Sequence, residues 1–259
     1  MIKLGTSNIT SIYKGTEEIV KAYKGLDLIF NKTTPTPPIE VNYADDLYID
    51  YRGEDNYVNG AWTSRINTAS KTFTFTPVST STAPVYDSVN KLYEATSYGG
   101  MVGNWATDSV FSFEVTLRDV KNVSSNSSTM ASIIGPSASG GQSNGIAIHK
   151  NSSTNLLWLT TRNSSGGSVS GVSIDCSTLS DNGLDTFAII PGVGFFHNGI
   201  KIGDCSTNVT VGKLGIFTHI DSSTYRSKGK IHALRYWKRK LTAEEVLQNY
   251  QTDISIYGE

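Results

Sequence analysis

The sequence predicts an all-β protein. A small β-repeat module comes first, then a two-sheet sandwich of about a dozen strands closed by a short helix. Three observations predict it. Ser, Thr, Asn and Gly are abundant, aromatics make up 10% of the residues, and charged residues only 17%. That composition suits sheets and loops better than helices. Val110-Phe111-Ser112-Phe113-Glu114-Val115-Thr116-Leu117 alternates cleanly between two faces. Gly194 to Gly203, GFFHNGIKIG, reads as a hairpin with Asn198-Gly199 as its two-residue turn.

Residues 1–31 carry an internal repeat. Gly5, Gly15 and Gly25 recur at a fixed interval, as do Ile9, Ile19 and Ile29, and Tyr13-Lys14-Gly15 returns as Tyr23-Lys24-Gly25. Each unit reads as a short strand, a glycine turn and a second short strand, since such turns need a residue at positive φ. So few residues bury little core, so the module needs a partner surface. The pattern I-x-x-I-Y-K-G-x-x-x-I-x-K-A-Y-K-G-x-x-L-I-F resembles a short N-terminal module of structural proteins of tailed bacteriophages. That resemblance implies attachment to other virion proteins, of capsid or tail, through Ile12, Tyr13, Ile19, Tyr23 and Ile29. Several copies are expected to associate, as a dimer or trimer. A packing role within the chain is the plainer alternative. Residues 32–40, with Pro35, Pro37 and Pro38, read as a semi-rigid spacer.

Residues 41–259 form the main domain. Strands are expected at Leu47–Tyr51, Phe73–Thr76, Tyr93–Tyr98 and Val110–Leu117. Others follow at Ala131–Gly135, Gly145–His149, Leu156–Thr161, Phe187–Ile190 and Leu214–Phe217. Ser/Gly-rich loops are expected at Ser137–Asn144 and Asn163–Ser173. A last strand alternates Ile231, Ala233, Arg235 and Trp237 against His232, Leu234, Tyr236 and Lys238. It feeds a helix with Thr242 at the N-cap and Glu245 three residues on, a capping box, with Leu241 and Val246 at the staple positions. Val246, Leu247 and Tyr250 make its expected apolar stripe. Arg239, Leu241, Thr242, Glu245, Asn249 and Tyr250 together resemble the closing signature of the LamG, or concanavalin A-like, jelly-roll family. The Phe111–Leu117 strand and the Asn198-Gly199 hairpin resemble that family's central strand and hairpin. The resemblance implies a jelly-roll sandwich over nearly all of 41–259.

The chemistry is sparse. Net charge is −1, which gives no electrostatic case for nucleic acid or an anionic membrane. No apolar run is long enough to cross a bilayer, and MIKLGTSNIT lacks the features of a signal peptide, so secretion is not expected. Cys176 and Cys205 sit in matching Asp-Cys-Ser-Thr segments and are expected as buried free thiols, with neighbouring strands as one placement. Glucanases of the resembled fold carry Glu-x-Asp-x-x-Glu on one strand. Here Phe111–Leu117 has only Glu114, and no such segment occurs. Asp45, Asp46, Asp50, Glu54 and Asp55 read as a solvated surface. His149, His197, His219 and His232 are not at metal-ligand spacing. Calcium on a loop is implied by many relatives of the fold. Asp108, Asp181, Asp204 and Asp221 are the loop candidates, but they form no cluster, so no obligatory cofactor is expected.

What remains is binding. Sugar sites pair an aromatic ring with amide and charged hydrogen-bonding groups. The candidates are Tyr98, Asn104 and Trp105; Trp158 and Arg162; His197 and Asn198. Core packing is the plainer role for Trp105 and Trp158. The Tyr98–Trp105 loop ranks first, because Gly99, Gly100 and Gly103 should leave its aromatics less buried. The expected function is a non-enzymatic virion appendage, a head fibre or decoration or a tail-associated protein, that displays a domain able to hold host or mucus glycans. A bacterial cell-surface adhesin is the alternative. A glycoside hydrolase using Glu94 or Glu114 comes last.

Overall fold

The computed structural model describes residues 12–14, 17–19, 21–24, 27–31, 47–52, 57–58, 61–66, 73–79, 83–104, 108–139, 142–162, 168–219 and 225–258. Of 12–31, 57–58, 104, 136–139, 142–144 and 168 it describes the backbone alone. The chain divides into two compact units, Met1–Glu40 and Val41–Glu259.

The first unit holds two antiparallel pairs. β1 (Ile12–Lys14) pairs with β2 (Glu17–Ile19), setting Ile12 against Ile19 and Tyr13 against Glu18. β3 (Lys21–Lys24) pairs with β4 (Asp27–Asn31), setting Tyr23 against Leu28. Ile29 lies on β4. The Gly15 and Gly25 units thus have the strand pairing expected of them, while the Gly5 unit lies outside the described residues. The spacer 32–40 lies outside the described residues.

The second unit is a sandwich. Its strands are β5 (Leu47–Arg52), β6 (Tyr57–Val58), β7 (Ala61–Thr63), β8 (Thr74–Pro77), β9 (Val85–Asp87), β10 (Leu92–Ala95), β11 (Met101–Asn104), β12 (Ser112–Arg118) and β13 (Ser124–Ser125). They continue as β14 (Met130–Ser139), β15 (Gln142–Asn151), β16 (Leu156–Arg162), β17 (Ser168–Asp175), β18 (Leu184–Ile190), β19 (Gly194–His197), β20 (Ile200–Gly203), β21 (Lys213–Ile216) and β22 (Ser227–Trp237). Helix α1 (Ala243–Tyr257) follows. Among the described residues the strands form two nine-stranded antiparallel sheets. One runs β20-β19-β18-β12-β22-β10-β9, with β5 and β13 also on β22; the other runs β17-β16-β15-β14-β21-β11-β8-β7-β6.

The core lies between the sheets. Tyr51 and Tyr93 of the first sheet meet Trp62 and Phe75 of the second, with ring centroids 4.5–5.0 Å apart. Phe113, Val115, Leu117, Ile148, Leu157, Leu159, Phe187 and Leu234 fill the space around them and are fully or almost fully buried. The alternation of β12 and β16 is what delivers one face of each to this core. Cys176 and Cys205 are buried free thiols, and neither lies on a strand: Cys176 opens a 3-10 turn (Cys176–Thr178) and Cys205 follows β20.

Four expectations need correction. The loops expected at Ser137–Asn144 and Asn163–Ser173 are partly strand: β14 and β15 reach Ser139 and Gln142, and β17 begins at Ser168. Edge pairing with β15 and β16 holds serine-rich backbone that intrinsic propensity would leave as loop. The alternation of the last strand breaks at His232. Thr116 pairs with Ala233 but Leu117 with Ile231, a bulge that puts Ile231 on the core side with Leu234 and Tyr236. Asp50 is not solvated: it is 4% exposed, and its oxygens take Arg52 Nε at 3.0 and 3.2 Å. The other four acids of that group lie outside the described residues.

The fourth correction concerns α1. Its capping box forms as the sequence predicts: Thr242 accepts from Glu245 N–H, and Glu245 accepts from Thr242 N–H at 2.8 Å. Leu241 and Val246 are buried with Trp237, Phe196 and Ile190. Its packed face, however, is polar. Val246, Asn249, Thr252, Asp253 and Tyr257 are buried, while Leu247 is 39% exposed. Beneath that face Arg235, 1% exposed, makes two bonds to Asp253. Thr116 also donates to Asp253, and Asn249 Nδ2 donates to Glu114 Oε2 at 2.8 Å. The helix is therefore held on the outer face of the first sheet by an apolar contact at its start and by charge and hydrogen bonds along the rest of its buried face.

Candidate functional site

The second sheet presents its own outer face, and three of its strands build the site. Leu157 and Leu159 of β16 point into the core, so Trp158, Thr160 and Arg162 take the opposite side. Register then selects their neighbours. Trp158 pairs with His149 of β15 and Ser173 of β17; Thr160 with Ala147 and Gly171; Arg162 with Gly145 and, after a bulge, Ser168. Trp158, Arg162 and His149 are half-buried, and Thr160 is 3% exposed between them. The small residues Ala147 and Gly171 flank Thr160. A Cβ at Gly171 would meet Thr160 Cγ2 at 2.9 Å. From Trp158 to Arg162 is about 13 Å along the strand.

Polar capacity is left open here. His149 Nδ1, Thr160 Oγ1 and Arg162 Nε are enclosed yet have no hydrogen-bond partner among the described residues. Unsatisfied buried polar atoms are uncommon and costly, and three on one face call for a reason. Burial first, and the Arg162 charge second, push His149 down to about 4, so its imidazole is neutral near pH 7. Burial also lowers Arg162, which stays protonated. The face thus combines an indole, a neutral imidazole, a hydroxyl and one cation.

Of the residues singled out from sequence, the structure joins Trp158 and Arg162 here. The others fall elsewhere. His197 and Asn198 belong to the first sheet. The His197 ring stacks on Phe187 at 5.0 Å, and its Nε2 meets Asp185 Oδ1 at 2.8 Å. Asn198 Oδ1 accepts from Thr186 N–H at 2.9 Å, with its own backbone at φ 50 in the hairpin turn. Tyr98 is half-buried, with Lys228 Nζ 4.8 Å from its ring centroid. Asn104 ends β11, and Trp105 lies outside the described residues. The glycines before it do not loosen a loop. Gly100 and Gly103 are buried, and Cβ atoms there would meet Thr218 Cβ at 2.7 Å and Phe75 Cδ1 at 3.0 Å. They serve close packing, on the sheet and against the core.

A concavity of about 310 Å³ opens elsewhere, over the start of β22, lined among others by Glu94, Arg118, Asp119, Lys228 and Lys230. Its charges are mixed, and several are engaged. Arg118 donates to His232 Nε2 at 3.1 Å, and Asp119 accepts from Asn122 and Asn182. The two carboxylates weighed for hydrolysis do not share a cleft: Glu94 lines this one, while Glu114 is 1% exposed beneath α1. Among the described residues no three His, Cys, Asp or Glu side chains gather where they could hold a metal ion. Asp108, Asp181 and Asp204 each face a lysine, Lys238, Lys121 and Lys201 respectively. Asp221 lies outside the described residues.

No protein-family model matches the chain, and no curated protein sequence does. Solved structures do. The binding domain of botulinum neurotoxin serotype D matches with TM-score 0.57 at 13% identity, over 81% of this chain and 52% of that one. The serotype D ligand-binding domain in complex with N-acetylneuraminic acid gives 0.53 at 11%, over 81% and 52%. A structure of type C, a toxin whose passage into cells depends upon interaction with two ganglioside molecules, gives 0.53 at 12%, over 80% and 51%. The chain spans about half the length of these domains. At this identity the likeness concerns architecture, and it agrees with the strands described above: the chain is mostly β, and its large unit is a two-sheet antiparallel β-sandwich closed by a C-terminal helix.

Proposed function

We propose that this chain is a non-enzymatic structural protein of a tailed-bacteriophage virion, a head fibre or decoration or a tail-associated appendage, whose jelly-roll holds host or mucus glycans. The observation that carries the binding half is the outer face of β15–β17. There Trp158 offers a ring to the apolar side of a sugar, while His149, Thr160 and Arg162 offer hydrogen bonds around it. That similar folds belong to toxin domains bound to N-acetylneuraminic acid, or in a toxin dependent on gangliosides, supports this reading. The virion half rests on the Ile-Tyr-Lys-Gly and Ala-Tyr-Lys-Gly repeats of residues 1–31, with Ile12, Tyr13, Ile19, Tyr23 and Ile29 as the contacts to capsid or tail proteins. Residues 32–40 space the display domain outward, copies associate as a dimer or trimer, and no resident cofactor is needed.

Two measurements test it. An antibody to residues 41–259 should label purified virions, at the capsid for a head appendage or at the tail for a host-recognition role. Intact particles without label would sink the virion reading and favour a cell-surface adhesin. Immobilised glycans should retain the protein, and Trp158→Ala should weaken retention about tenfold or more, a loss of ~1.4 kcal/mol or greater. An unchanged Trp158→Ala with an unchanged melting temperature would remove the site.

A further inference from the structure

Acid on the outer face of β15–β17 is confined to Asp175, at the end of β17 opposite Leu156, where its carboxylate accepts from Ser177 N–H at 2.8 Å. Residues 120–174 contain no aspartate or glutamate, although the chain carries 23. That stretch makes β13 to β17 almost entirely. It includes the segments that join β14 to β15 and β16 to β17 in sequence, SASGGQSN (137–144) and NSSGGS (163–168), which supply no acid either. Its cations are Lys121, Lys150 and Arg162. Lys121 is paired with Asp181 at 3.0 Å. Lys150 donates its ammonium to the carbonyls of Lys121 and Val123. Arg162 differs from both: its Nε is buried with no hydrogen-bond partner among the described residues, and it stands four positions from Trp158 on the same face of one strand.

A half-buried guanidinium is expensive to hold unpaired. Folded proteins meet that cost with a carboxylate, and residues 120–174, on either side of Arg162 in the chain, hold none. A neutral glycan would leave the cation uncompensated. An anionic group further along a glycan chain seated on Trp158 would take the planar donor fork in the two-bond geometry that arginine makes with carboxylate or sulfate. The neutral His149 adds a hydrogen-bonding partner without adding charge. Resting on the glycan-binding reading above, we infer that the ligand of this face is an acidic oligosaccharide, with one sugar ring on Trp158 and the carboxylate or sulfate of a neighbouring sugar, about 13 Å along the strand, on Arg162.

The test uses the full chain and paired glycans. Sialylated oligosaccharides are set against their desialylated parents, uronate polymers against carboxyl-reduced forms, and sulfated galactans against desulfated forms. The acidic member of at least one pair should bind tenfold or more tighter than its neutral parent and lose affinity as salt rises. Which pair responds separates carboxylate from sulfate. Arg162→Gln should bring the acidic member down to the neutral level, with Arg162→Lys restoring part of the difference and circular dichroism unchanged throughout. Equal binding of acidic and neutral members, insensitive to Arg162→Gln but lost in Trp158→Ala, would overturn the acidic ligand and leave the glycan site standing. Failure to bind every member would overturn both.

Discussion

Asp253 shows how much of this fold hangs on single polar side chains. It is fully buried and receives Arg235 through two nitrogens and the Thr116 hydroxyl. Around it lie three carboxyl groups, those of Asp50, Glu114 and Asp253, and two guanidinium groups, those of Arg52 and Arg235. Burial pushes Glu114 up to about 8, against the pull of Arg235, so at neutral pH it is protonated and the charges balance. Asp253→Ala should therefore cost more than a surface ion pair. It strands Arg235 in a dry site, and breaking one partner of a buried pair costs ~3–5 kcal/mol. Urea denaturation would read this as a lower midpoint with an unchanged slope. A loss below ~1 kcal/mol would mean that water reaches Arg235.

The hairpin β19–β20 meets α1 at its turn, and this sets a second limit. Asn198 and Gly199 have φ of 50 and 78, the two positive values that a two-residue hairpin turn of this hand requires. A Cβ on Gly199 would also meet Leu247 Cα at 2.9 Å. Gly199→Ala is thus penalised by backbone and by packing, and should destabilise by ~1 kcal/mol or more. Gly212, which has nothing within 4 Å of its Cβ position, is the control that should tolerate alanine. Equal effects at the two positions would sink the argument. This turn was legible in the sequence, as were the capping box and the alternating strand β12, because each is a local pattern with a local cause. The polar face of α1 was not legible. Asn249, Thr252 and Asp253 look like solvent positions until Arg235 and Glu114 are known to lie beneath them. The site was half legible. Trp158 and Arg162 share strand parity and can be paired by eye. That His149 stands beside Trp158 depends on the register of β15 against β16, which the connecting turn at Ser152–Asn155 and tertiary packing decide. Strand β17 escaped because serine and glycine carry little β-propensity of their own.

Taken together, the buried titratable groups shape the stability of the large unit as a function of pH. His149 and His232 are both pushed down from 6.5 to about 4, chiefly by burial, with Arg162 and Arg118 respectively adding to it. His232 is held neutral: its Nε2 accepts from Arg118 Nε, which leaves Nδ1–H to donate to Lys91 O at 3.0 Å. Between about pH 4 and 6.5 the unfolded chain binds more protons on these two histidines than the folded chain does. Their contribution to stability is therefore lost as pH falls through that window. Glu114 works the other way. Its folded value of about 8 lies above the unfolded 4.5, so the folded state holds the extra proton and stability declines as pH rises towards 8. Two histidines outweigh one carboxyl below 6.5, and the carboxyl acts alone above it. The predicted maximum is near pH 6.5, with a shoulder falling to about pH 8. Urea midpoints measured across pH 4 to 9 would show it, and Glu114→Gln should flatten the upper limb while leaving the lower one in place. A maximum at pH 8 or above, or an upper limb that Glu114→Gln leaves untouched, would show that the Glu114 carboxyl is ionised in the fold and that Arg235, not a proton, neutralises it.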